Sequence, residues 1–178
     1  MIITAPYRSG GTIFASTLAN ETGKRFLGQI DMHSVDFLAQ VDKNKMHEIK
    51  NQPVLTLNEI NDAMINDENV VILNNSNTGL FDKTSQFLIR RNIRNVYYSH
   101  SRLLIDMNLP NEVSGSMKRL SYFIGLQLLY MQSKNITPLY YEDLYQRVTE
   151  YNMSDDINAM VEKHISYLKS LKTSFKLD

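Results

Sequence analysis

Apolar residues recur along the chain in two rhythms that alternate. Short, β-branched or aromatic runs, MIITA at 1–5, residues 26–30, NVVILNN at 69–75, NVYYS at 95–99 and ITPLYY at 136–141, read as strands. Between them, residues 12–21, 35–49, 57–67, 82–92 and 116–134 carry apolar positions at helical spacing. The last of these is apolar nearly all round, which predicts a buried helix. Residues 154–171 open on SDD, a helix cap followed by acids, and set Ile157, Met160, Val161, His164, Ile165, Leu168 and Leu171 on one stripe. Strands alternating with helices predict an α/β chain with a four- to five-stranded parallel sheet, residues 1–5 central and helices on both faces. In such sheets ligands sit beyond the carboxyl ends of the strands, where the loop after the first strand opens.

Composition narrows the partners. The 178 residues carry 19 basic and 19 acidic side chains, so no global field argues for nucleic acid or an anionic membrane; a polyanion site has to be local. There is no cysteine, which removes disulfides, thiolate nucleophiles and thiolate-held zinc. The first residues lack a signal-type pattern, and the most apolar stretch, YFIGLQLLYM, is shorter than the roughly 20 residues a span needs. No linker or repeat divides the sequence. The expectation is one soluble, cytoplasmic domain over 1–178.

The chemistry concentrates in TAPYRSGGT, residues 4–12. Small residues before a helix let backbone N–H groups approach a phosphate, and the helix N-terminus favours the anion. Against the pattern G-x-x-x-x-G-K-[ST], residues 5–12 match at Gly10 and Thr12, but Ala5 replaces the first glycine and Gly11 the lysine. The cation has moved upstream to Arg8.

That rearrangement resembles the sulfotransferase family, whose 5′-phosphosulfate loop usually reads P-[KR]-[ST]-G-[TS]-[TS]. Here Arg8, Ser9, Gly10, Gly11 and Thr12 match, with Tyr7 inserted after Pro6 and Gly11 where the family prefers Thr or Ser. Downstream, SMKRLSYFIGLQLLYMQSKN followed by ITPLYYEDL is similar to the family's long helix and the strand ending in R-Y-E-D-L; Tyr141, Glu142, Asp143 and Leu144 match, and Tyr140 stands where Arg is common. The third marker departs. Where the family places R-[DN]-P and then a Ser to hold the donor's 3′-phosphate, this chain has SHSRLLIDMN, so Ser99, His100, Ser101 and Arg102 are the candidates for that role.

The resemblance implies a three-layer P-loop-type fold and metal-free sulfuryl transfer from 3′-phosphoadenosine-5′-phosphosulfate to a hydroxyl or amine, leaving adenosine 3′,5′-bisphosphate. Arg8 would stabilise the bridging and sulfuryl oxygens, and the N–H groups of Ser9 to Thr12 would hold the 5′-phosphate. Asp31, then His33, in GQIDMHS are the candidate bases, since the loop after the second strand opens on the same edge as Arg8. The alternative for both is a capped loop before SVDFLAQV. Two other functions stay open: a P-loop nucleotide or small-molecule kinase, disfavoured by Gly11 and by the amides ending VVILNNSN, and an inactive descendant that binds a nucleotide or a protein partner. The acceptor is expected to be a sugar, small molecule or peptide, and the short connections leave little room for an elaborate pocket, which points to a partner subunit, a homodimer contact or an open site for a large acceptor.

Overall fold

The structure is a computed structural model. It describes residues 1–30, 54–55, 70–75, 78, 81, 84–89, 92–145, 150–175 and 177. The chain is α/β and its paired strands run parallel. It divides into two compact units, one of Met1–Ala5 with Gly11–Gln86, the other of Pro6–Gly10 with Phe87–Asp178.

In the first unit, β1 (Ile2–Thr4) pairs with β4 (Val70–Asn74), β4 with β2 (Arg25–Ile30), and β2 with β3 (Val54–Leu55). The register sets Ile2, Ile3 and Thr4 against Ile72, Leu73 and Asn74. These residues are fully or almost fully buried, as expected of a parallel strand covered on both faces. Between β1 and β2 the chain forms α1 (Gly11–Glu21), which packs on β4, β2 and β1 through Gly11, Ala15 and Ala19. A stripe of small residues one turn apart lets the helix axis approach the strands closely. Gly11 marks the limit of that approach: a Cβ there would stand 2.7 Å from Leu73 Cδ1 and 2.9 Å from Ala5 Cβ.

In the second unit, Leu88 and Ile89, which end β5 (Thr84–Ile89), align with Leu139 and Tyr140 of β6 (Leu139–Tyr140). Three helices pack on one another pairwise: α2 (Ile93–Asp106), α3 (Val113–Ser133), entered through a 3-10 turn at Pro110–Glu112, and α5 (Asp155–Ser170). A short α4 (Tyr141–Tyr145) follows β6. The helix core comprises Val96, Tyr97, Leu104, Met117, Ile124, Leu128, Val161 and Leu168.

Two expectations are corrected. NVYYS is not a strand but lies within α2, because Ile93, Val96, Tyr97, His100 and Leu104 make a buried stripe at helical spacing. Asn92 caps this helix, its side-chain oxygen accepting from Asn95 N at 3.0 Å. Within 82–92, expected as a helix, residues 84–89 extend instead as β5, paired at Leu88 and Ile89 with a neighbouring strand. The helices expected over 116–134 and 154–171 appear as α3 and α5. Ser154 occupies the cap position of α5 and its carbonyl accepts from Asn158 N, but its hydroxyl makes no capping bond. The expected helices over 35–49 and 57–67 lie outside the described residues. Among the described residues no helix is long and apolar enough to cross a membrane.

Candidate functional site

The loop that leaves β1 turns on a short internal network. Ser9 N donates to Pro6 O at 3.2 Å, and Ser9 Oγ donates to the same carbonyl at 2.5 Å. Both donors of the fully buried Ser9 are thereby turned into the loop, so this side chain shapes the turn instead of presenting a hydroxyl outward. Gly10 follows with φ +81°, a conformation that glycine adopts without a Cβ penalty. Arg8 also has positive φ, at +63°, and it is not a glycine. Left-handed backbone at an ordinary residue costs about 1–2 kcal/mol, so the loop holds Arg8 against a local preference.

The Arg8 side chain is oriented from the second unit's first helix. Its Nε donates to Ser99 Oγ at 2.9 Å, and Ser99 is itself buried on α2. Two residues 91 positions apart in sequence are brought together by this bond. Arg8 is an exposed residue, and this bond fixes one edge of its planar guanidinium.

The other residues expected to grip a 3′-phosphate make bonds to other parts of the helices. His100 is buried, with Nε2 2.6 Å from Ser116 Oγ on α3 and its ring 5.8 Å from that of Tyr7, tilted by 33°. Ser101 Oγ donates to Tyr97 O one turn back at 2.8 Å, a bond within its own helix. Arg102 lies on the exposed side of α2, paired with Asp106 at 3.1 Å. The physical reason is periodicity: on a helix successive residues turn by about 100°, so Ser99 to Arg102 point in different directions. A strand end followed by a loop, as the resemblance implies, would have left them free to converge. Asp31 and His33 lie outside the described residues.

The remaining motif is built for packing. Tyr141 of YEDL is buried and its ring lies 4.8 Å from that of Tyr145, while Glu142 and Asp143 occupy the first turn of α4, where acids suit the helix dipole. Tyr140, at the position where Arg is common, is held above the usual phenol range by burial and then by Asp143. At the helix cluster, Tyr97 Oη lies 2.6 Å from Ser121 Oγ, and burial pushes the Tyr97 phenol well up. His164 stacks on Tyr97 with centroids 5.7 Å apart and is held below the usual imidazole range by desolvation and then by Lys163.

Tyr7 and Ser116 enter this neighbourhood without having been singled out in the sequence. Tyr7 carried a signal, since it is the residue inserted between Pro6 and Arg8. Ser116 had none, being one of many hydroxyl residues on a long helix. No protein-family model matches the chain, and no curated protein matches it.

Proposed function

We propose that the chain binds a phosphate-bearing nucleotide at the loop following β1 and performs sulfuryl transfer from 3′-phosphoadenosine-5′-phosphosulfate to a hydroxyl or amine acceptor. The observation that carries the reading is Arg8: a cation kept in left-handed backbone and oriented by the hydrogen bond to Ser99, at the position where the missing loop lysine has to be replaced. The reading includes the finer fold, a three-layer P-loop-type domain with a four- to five-stranded sheet. Arg8 would meet the charge that builds on the bridging oxygen as the sulfuryl group departs. Since Ser9 spends both donors on Pro6 O, the N–H groups of Gly10 to Thr12 become the expected phosphate donors. Asp31, with His33 behind it, remains the proposed base.

A second reading, an inactive nucleotide-binding descendant, is favoured by the bonds that His100, Ser101 and Arg102 make to other residues. Calorimetric titration with adenosine 3′,5′-bisphosphate, AMP and ATP, with and without magnesium, tests both. The transferase reading expects the bisphosphate to bind tightest and without magnesium. Tight, magnesium-dependent ATP binding would replace it with a kinase. Bisphosphate binding with no sulfuryl transfer to any hydroxyl or amine acceptor would leave the inactive descendant.

A further inference from the structure

Helix α3 has an outward face that neither the loop nor the helix core uses. Tyr122 is 62 % exposed and Leu129 43 % exposed, and the half-exposed Leu126 lies between them. These positions are spaced by four and three residues, so they form one stripe along the helix. Tyr167 of α5, 44 % exposed, borders it: a Cβ built on Gly125 would stand 3.6 Å from Tyr167 Oη. Lys118 and Arg119, both exposed, sit one turn before Tyr122 and flank it on either side. No Asp or Glu occurs anywhere in the 21 residues of α3.

We infer that this face docks an acidic amphipathic helix of another protein, with its acids against Lys118 and Arg119 and its apolar stripe along Tyr122, Leu126 and Leu129. The charge on the face is ordered along the axis, cations at one end and apolar residues at the other. From Lys118 to Leu129 it runs about 17 Å, the length of roughly three turns of a partner helix. A bilayer would instead be met by cations spread around an apolar centre, and two cations contribute only about 1 kcal/mol each at an anionic surface. A second copy pairing α3 against α3 brings no acid to meet Lys118 and Arg119, because α3 contains none. A helix lying along α3 therefore has to supply the negative charge itself.

The test uses the full chain and a fluorescein-labelled synthetic helix with paired glutamates one turn before leucines at helical spacing. Fluorescence anisotropy should show binding that weakens with added salt. It should fall roughly tenfold in Tyr122→Ala and in Lys118→Glu with Arg119→Glu, and also when the peptide's glutamates become glutamines. These positions are exposed, so circular dichroism should be unchanged; Lys118→Gln with Arg119→Gln gives a milder pair should the double reversal disturb folding. Failure of the peptide to bind, or equal binding by the charge variants, overturns the proposal. So does a Tyr122-dependent dimer in sedimentation, which makes the face a self-contact. Pelleting with phosphatidylserine vesicles that needs the same residues also overturns it, in favour of a lipid surface.

Discussion

Replacing Gly11 with alanine puts one methyl group where the first unit has no room. That methyl would meet Leu73 Cδ1 at 2.7 Å, Leu73 Cδ2 at 3.4 Å and Ala5 Cβ at 2.9 Å. Carbon atoms prefer about 3.5–4.0 Å, so two of the contacts fall short by most of an ångström. Leu73 is buried, and Ala5 has no rotamer to change, so α1 or the end of β1 has to shift. Overpacking of this kind costs about 1–3 kcal/mol. Alanine returns at most about 1 kcal/mol in helix propensity, less at the first helical residue. The net expectation is a loss of about 1–2 kcal/mol, or a Tm lower by roughly 2–8 °C for a chain of this length. Urea unfolding followed by circular dichroism measures it, and Leu73→Ala completes a double-mutant cycle. Removing Leu73 in the Gly11→Ala background should cost less than removing it alone, with a coupling of about 0.5–3 kcal/mol. If Gly11→Ala raises Tm, or the two changes simply add, helix propensity has won and the close approach does not govern this position. By the same reasoning Gly11→Lys, which restores the loop lysine on paper, should disrupt the first unit and not create ATP binding.

Arg8→Ala should lower sulfuryl turnover by roughly a hundredfold or more with a smaller loss of bisphosphate affinity, read from steady-state kinetics and calorimetry. Asp31→Asn should lower turnover while leaving bisphosphate affinity nearly unchanged, because a base meets the acceptor's proton; full activity would pass the role to His33 for testing. Asn92→Ala should destabilise by about 0.5–1 kcal/mol in urea unfolding, the low part of the capping range, since Asn95 N also reaches Asn92 O at 3.1 Å. His164 is held below its usual pKa by desolvation first, so the unfolded chain takes up this proton before the fold does. Its contribution is therefore complete above about pH 6.5 and is lost as pH falls below that value, and His164→Gln should flatten the decline in Tm between about pH 7.5 and about pH 5.5.

The parts of the fold legible in the sequence were those whose pattern needs no partner to interpret. MIITA, the stripe of α5 and the apolar length of α3 each declare their state through local periodicity. Residues 95–99 read as a strand because Val96, Tyr97 and Tyr98 are favoured in strands, and this local preference hides the wider helical stripe from Ile93 to Leu104. Asn92 was the corrective signal, a cap standing directly before that stripe. At the candidate site, the loop and Arg8 were visible, but the Ser99 bond was not, since nothing local links positions so far apart. The reason for Gly11 was hidden in the same way: it lies in Leu73, on a strand formed much later in the chain.

The two hydroxyl bonds between α2 and α3 join Tyr97 to Ser121 and His100 to Ser116, so the helices run antiparallel with a fixed pairing of residues. An inserted residue between Asn108 and Glu112 lengthens the turn and leaves both bonds in place. One inserted between Tyr97 and His100, or between Ser116 and Ser121, rotates everything beyond it by about 100° and carries a buried polar group away from its partner. Among descendants of this gene, differences in length should therefore accumulate at that turn, while the two helices drift only by substitution.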